Sequence, residues 1–338
     1  MPRLKRSDCS GPGIRRLRRG RGFSYEDGGG DRLTDPETLA RIGELAIPPA
    51  WREVWICPDA HGHIQATGYD DASRKQYLYH QRWRAHRDRE KFEAVLELAA
   101  ELPRVRRQLK RDLKRRGLVR ERVLATAVRL LDLGFFRIGS EQYAEENETY
   151  GLATIRKGHV SFQRGLIVFD YRAKNSQRRI QTIDDPAIVP TVRALKKRRG
   201  GGHELLAYRN GDGWRDVRSD EINEYLKQVT GGDFTAKDFR TWNATVLAAV
   251  SVAIHAADGA STKTARKRIA SEATKAVAAY LGNTPAVCRA SYIDPRVFDR
   301  FDSGETVRPR LQELGGKFDP TRPSHREKVE AAVLELLS

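Results

Sequence analysis

The hydrophobic period of this chain changes near residue 90, and that change limits the folds open to it. Before it, "REVWICP", "HIQATGYD" and "RKQYLYH" alternate or carry aromatic and β-branched residues, with "DAHG" and "DDAS" as turns between them. These stretches predict a small antiparallel sheet. After it, helical patterns dominate. "QRWRAHRDREKFEAVLELAAEL" becomes amphipathic after Arg89, "PRVRRQLKRDLKRRG" is strongly basic, and "ERVLATAVRLLDLGFF" is apolar enough to be buried. One compact β block interrupts the helices: "ATIRKGHVSF", "GLIVFDYRA" and "RRIQTI", with "QRG" and "KNSQ" as turns. Helices are expected over 184–199, 219–229, 235–257, 261–281 and 323–337. A shorter one is expected over 34–46, where Asp35 can cap and Pro36 suits the first turn.

The chain therefore reads as α+β in three parts. Residues 1–22 are expected as a basic flexible arm, 23–90 as an N-terminal β-sheet domain, and 91–338 as a larger, mainly helical domain holding a small sheet.

Charge says what such a fold would meet. Lys and Arg number 62 against 45 acids, a net charge of +17. A folded protein with that excess usually meets a polyanion, and nucleic acid leads. The arm segment "IRRLRRGRG" could lie along phosphates. No apolar run approaches the roughly 20 residues of a membrane span, and no apolar segment follows the first basic residues as in a secretory signal. Cys9, Cys57 and Cys288 are odd in number and lack metal-type spacing, which suggests a reducing compartment. His61 and His63 share a strand face, but nothing nearby completes a zinc site.

Some polar residues sit oddly. "GFFRIGSEQY" puts Arg137 directly after an apolar helix, as a snorkelling side chain or as an anion ligand. "YRAKNSQRR" puts Lys174 at a hairpin tip, where most lysines are merely solvated. "TAKDFRTWNAT" puts Lys237 and Arg240 three apart in the first turns of an apolar helix. Cations there oppose the helix dipole unless Asp238 pairs with them or an anion is expected. In "NTPAVCRASYID", Thr284 and Pro285 start a short helix that carries Arg289, and Tyr292 stands just before the break at Asp294-Pro295. Tyr292 is either a core residue or a nucleophile.

In this order the motifs resemble the active site of type IB DNA topoisomerases, especially the short poxvirus-type and bacterial enzymes. The resemblance covers about residues 50–295. It implies the tyrosine recombinase/topoisomerase IB catalytic fold, with Arg137, Lys174, Arg240, Asn283 and Tyr292 as the catalytic positions. It also implies that Gln76, Tyr77 and Tyr79 of "RKQYLYH" approach bases and phosphates, with Lys237 a further DNA contact. One position departs: the family's His is Asn283 here, which can donate a hydrogen bond but cannot serve as a general acid.

The chemistry suits these residues. Two arginines can clamp the nonbridging oxygens of a phosphodiester attacked by a phenol, and Asn283 adds a neutral donor. Lys174 is the natural proton donor to the 5′-hydroxyl leaving group. Such a cation-rich site makes catalytic metal redundant, and no phosphate-cradling glycine loop provides for ATP. No cofactor is expected. The resemblance implies a monomer closing two domains round duplex DNA, cleaving one strand through a 3′-phosphotyrosine, letting it swivel and resealing it. A cytoplasmic, nucleoid-associated location goes with this. A tyrosine recombinase shares the chemistry, but usually has His where Lys237 stands and a helical first domain. A non-catalytic DNA-binding protein is the third alternative.

Overall fold

A computed structural model of the protein describes residues 3–134, 136–139, 141–211, 213–256, 262–315 and 323–338. Phe135 and Ser140 of the Arg137 motif, and the expected helix ends at 257 and 261, lie outside the described residues. The chain divides into two compact units, Met1–Lys91 and Phe92–Ser338.

The first unit is a five-stranded antiparallel sheet with one short helix. Its strands are β1 (Ile14–Arg19), β2 (Gly22–Glu26), β3 (Arg52–Ile56), β4 (Ile64–Tyr69) and β5 (Lys75–Tyr79), in the order β2-β1-β3-β4-β5. Helix α1 (Pro36–Glu44) begins as expected, with the Asp35 carboxylate accepting the Thr38 N–H at 2.9 Å. Ile14, Ile42, Val54, Ile56 and Ala66 form the core.

Residues 14–19 and 22–26 correct the expectation of a flexible arm over 1–22. Ile14 pairs with Ile56 and is buried, so the arginine run has one apolar anchor. Arg16 lies 4.2 Å over the Phe23 ring and donates to the Ile47, Pro48 and Trp51 carbonyls. Its N–H donors are turned into the fold rather than held out for a partner.

The second unit is mainly helical. Helix α2 (Gln81–Leu113) runs unbroken through Pro103, where two separate patterns were expected; Pro103 sits at an exposed position, so its ring does not meet the core. It is followed by α3 (Arg120–Leu133) and α4 (Glu141–Asn147). The β block is β6 (Val160–Gln163), β7 (Leu166–Ala173) and β8 (Gln177–Ile183), an antiparallel sheet in that order. The segment before β6, expected as strand from residue 153, is instead two tight turns over Leu152–Thr154 and Lys157–His159.

Helix α5 (Val189–Lys197) is shorter than expected. An unforeseen hairpin of β9 (Ala207–Asn210) and β10 (Gly213–Asp216) follows it. The remaining helices are α6 (Ser219–Thr230), α7 (Ala236–His255), α8 (Lys263–Leu281), α9 (Pro285–Ser291), α10 (Arg296–Asp302), α11 (Arg308–Glu313) and α12 (Pro323–Leu337). Trp242 and Phe239 of α7 are fully buried in one core with Phe136, Phe169 and Leu124. Among the described residues no helix is long and apolar enough to cross a membrane.

Candidate active site

The site is organised by the C-terminal end of α8. The helix stops at Gly282, whose φ of +65° and ψ of 45° only glycine adopts without strain. The Asn283 N–H turns back to the Ala278 carbonyl at 3.1 Å, a Schellman-type closure. Thr284 then opens α9, accepting the Val287 N–H at 3.3 Å, with Pro285 in the first turn. Asn283 thus occupies a fixed joint between two helices.

Tyr292 ends α9. Its N–H donates to the Cys288 carbonyl at 3.0 Å, and its own carbonyl accepts from Thr245 Oγ1 of α7 at 3.4 Å. The same hydroxyl accepts the Asp294 N–H at 3.1 Å, so α7 pins the backbone on both sides of Ile293. Sequence reading gave no sign of this role for Thr245, because it depends on a contact across 47 residues.

Arg137 and Arg240 converge on this joint. The buried Phe136 anchors the segment after α3 and turns the next side chain out of the core. The backbone there is locked by the Leu152 N–H on the Arg137 carbonyl (2.8 Å) and by a glycine crossing: a Cβ on Gly151 would stand 2.4 Å from Gly139 Cα. Arg137 Nη2 then donates to the Gly282 carbonyl (3.0 Å) and to Asn283 Oδ1 (2.6 Å). Arg137 can only donate, so the amide must turn its oxygen toward it. That leaves Asn283 Nδ2 buried with no hydrogen-bond partner among the described residues, a neutral donor held in reserve.

Arg240 is only 3% exposed; Nη2 donates to the Leu281 carbonyl at 3.1 Å, and the guanidinium lies 5.5 Å from the centre of the Tyr292 ring. Asp238, the alternative partner for these cations, turns back to cap α7, accepting the Thr235 N–H (2.8 Å) and hydroxyl (2.9 Å).

The electrostatics follow from burial. Desolvation pulls the Arg240 guanidinium down to about 10, with Tyr292 opposing and Arg137 adding to the shift. Burial likewise raises the Tyr171 phenol of β7, against the pull of Arg179, Arg240 and Arg137. Cys288, beneath the site, is pushed up to about 11 by burial, which Arg240 opposes. Its thiol is held neutral. No group of three or more His, Cys, Asp and Glu side chains among the described residues could hold a metal ion.

Four expected residues, Arg137, Arg240, Asn283 and Tyr292, are thus brought together. Lys174 stands exposed at the tip of the β7–β8 hairpin, where Asn175 (φ 61°) and Ser176 (φ 55°) make the left-handed turn. It makes no hydrogen bond or ion pair among the described residues. Lys237 and Arg240 part company: Lys237 is exposed while Arg240 is buried. In the first unit, Tyr77 and Tyr79 share the outer face of β5, 43% and 46% exposed, their rings 6.2 Å apart and 20° from parallel. Alternation puts Gln76 on the other face, where Nε2 donates to Asp70 at 2.9 Å.

Comparison with known proteins gives a consistent outcome. The family described as "Eukaryotic DNA topoisomerase I, catalytic core" matches residues 80–305, and "Bacterial DNA topoisomerase IB, N-terminal domain" matches residues 22–70. DNA topoisomerase 1B of Acanthamoeba polyphaga mimivirus is 30% identical over 286 residues, 83% of this chain and 85% of that protein. DNA topoisomerase 1 of Schizosaccharomyces pombe is 27% identical over 239 residues, 68% of this chain but 28% of that protein. DNA topoisomerase 1 of Candidozyma auris is 30% identical over 160 residues, 46% of this chain and 20% of that protein. The chain thus spans only a minor part of the length of the two fungal relatives.

Proposed function

This chain belongs to the type IB DNA topoisomerases, and we propose that it relaxes duplex DNA by transient cleavage of one strand on Tyr292. The observation that carries the reading is a phenol beside a buried guanidinium, next to a second guanidinium and an unused amide donor.

The Tyr292 oxygen attacks the scissile phosphorus, forming a P–O bond as its proton passes to solvent. Arg137 and Arg240 take up the charge growing on the nonbridging oxygens, and Asn283 Nδ2 donates one neutral hydrogen bond. The P–O5′ bond breaks, and the leaving oxygen takes a proton from Lys174 once the hairpin tip meets the substrate. The product is a 3′-phosphotyrosine with a free 5′-hydroxyl, in which the bond energy is conserved. The free strand rotates and the reverse reaction reseals it, so neither ATP nor metal is consumed. The exposed Tyr77–Tyr79 pair contacts base edges and phosphates of the same duplex. The enzyme acts as a monomer clamped on chromosomal DNA in the cytoplasm.

Relaxation of a supercoiled plasmid in EDTA without ATP tests this. Wild type should give a ladder of topoisomers and a covalent adduct trapped by denaturant. Tyr292→Phe keeps the ring and removes the oxygen; it should bind DNA and give neither product. An adduct formed by Tyr292→Phe would refute the assignment, and activity only on DNA with paired sites would indicate a recombinase.

A further inference from the structure

Four consecutive carbonyls at the end of α8 are each taken by a guanidinium. Gly282 is held by Arg137 and Leu281 by Arg240, while Ala279 and Tyr280 are both held by Arg179. The last carbonyls of a helix lack partners within it and carry roughly half a negative charge, so cations gather there. Two of the three arginines are catalytic in the reading above. The third, Arg179, has no part in it.

Arg179 lies on β8, five residues beyond Lys174 on the return strand of the same hairpin. Its register partner is Tyr171, and Gln177 pairs with Ala173 at the base of the tip. The strand is pressed against the helix end: a Cβ on Gly282 would stand 3.2 Å from Arg179 Nη1 and 3.4 Å from Gln177 Oε1. Lys174 itself is solvated, so its place relative to the cluster depends on how this hairpin is docked. A planar guanidinium that bridges two successive carbonyls fixes both position and direction, which a point charge cannot do.

We propose that Arg179 is a positioning residue, docking the Lys174 hairpin on the end of α8 and so aiming the proton donor at the site formed by Arg137, Arg240, Asn283 and Tyr292. The inference rests on the reading of Lys174 as general acid. It predicts a defect at the leaving group and not at the nonbridging oxygens. The neighbouring Arg178 provides the control: it carries the same charge on the same strand, but pairs with Asp170 at 2.6 Å.

The experiment measures single-turnover cleavage of duplexes with oxygen or sulfur at the 5′-bridging position, since a thiolate leaves without a proton. On oxygen, Arg179→Ala should be slowed on the order of 10²-fold, the effect of misplacing a catalytic group by about 1 Å. On sulfur it should recover most of that loss. Arg179→Lys, which keeps charge but loses the fork, should fall between Arg179→Ala and wild type, and it replaces Arg179→Ala if that variant does not fold. Arg178→Ala should stay within about threefold of wild type on both substrates, as for a solvated pair. The double variant Arg179→Ala/Lys174→Ala should be no slower than Lys174→Ala alone. Equal slowing of Arg179→Ala on both substrates, or multiplied defects in the double variant, would overturn the proposal. If Lys174→Ala itself gains nothing from sulfur, the acid assignment fails, and the double variant alone then decides whether Arg179 works through Lys174.

Discussion

Two clusters of three arginines border α7, and they differ in what neutralises them. In one, Arg106, Arg129 and Arg326 surround the buried Asp132 at 2.8, 2.6 and 3.0 Å, with Glu330 and Asp185 completing the set. Three cations meet three carboxylates. Burial would push the Asp132 carboxyl up, but Arg106, Arg326 and Arg129 overcome it and hold the group well below the usual carboxylate range. In the other, Arg137, Arg179 and Arg240 lean on the carbonyls of α8 and the amide oxygen of Asn283. Carbonyl dipoles orient a guanidinium without cancelling its charge. The first cluster is complete as it stands, tying α2, α3 and α12 together. The second leaves its charge uncancelled. Asn243, three residues beyond Arg240 on α7, accepts from Arg326 at 2.9 Å, so a single helical turn separates the two clusters.

The sharpest way to break this contrast is Arg240→Leu. In the proposed mechanism Arg240 clamps the developing oxyanion, so its loss should slow single-turnover cleavage by about 10³-fold or more, the upper end for one lost donor. Stability should move the other way. Burial lowers the Arg240 guanidinium to about 10, which means that burying the cation opposes folding. The sign is that of a lowered base: the cost is present at every pH below about 10 and fades only as pH climbs from there towards the ordinary arginine value. A leucine side chain has no such cost, so thermal melting at pH 7 should show a Tm no lower than wild type. A marked fall in Tm would mean that Arg240 is structural.

Asp132→Asn should give the opposite pattern. It leaves Arg106, Arg129 and Arg326 short of one charge in a buried site, and breaking such a set costs roughly 3–5 kcal/mol. Urea unfolding should show the loss, while the cleavage rate per folded molecule stays near wild type. Because the Asp132 value is lowered, its contribution is present above the ordinary carboxylate value near 4 and lost only as pH falls through the depressed folded value. The wild-type contribution is therefore constant from about pH 5 to 8. If Asp132→Asn melted like wild type, the compensated cluster would be ornamental.

Asn283 separates the two clusters more finely, since its amide touches Arg137 but carries no charge. Asn283→Ala should slow cleavage on the order of 10²-fold for one lost donor. Asn283→His should remain active, because an imidazole N–H can donate from the same joint. An inactive His variant would show that the pocket is closed round the amide.

Much of this site was legible in the sequence because its chemistry coincides with local signals. Thr284 and Pro285 announce α9, "KNSQ" announces the hairpin, and an arginine directly after "GFF" is conspicuous. What stayed hidden depends on long-range partners. Arg179 sits in an ordinary "QRRIQ" strand and gains meaning only from carbonyls 100 residues away. The basic run at 14–19 reads like a solvated arm, because the burial of Ile14 against β3 and the inward hydrogen bonds of Arg16 leave no local mark. Asp132, one residue from the end of α3, drew no notice in the sequence, because its partners Arg106 and Arg326 come from α2 and α12.

The smallest expected effect tests the contrast without any DNA. If the α8 cluster holds uncancelled charge, a divalent oxyanion should bind it and raise Tm. At ten times its Kd, inorganic sulfate would stabilise by about 1.4 kcal/mol, or roughly 3–5 °C for a unit of this size. Sulfate also stabilises proteins generally, by exclusion from their surface. The comparison is therefore between wild type and Arg240→Leu in sodium sulfate, with sodium chloride at matched ionic strength to separate screening. General exclusion acts on both proteins alike, whereas the specific gain should appear in wild type and saturate with concentration. Equal, non-saturating gains in the two proteins would mean that the carbonyls of α8 already neutralise these arginines, and the distinction between the clusters would collapse.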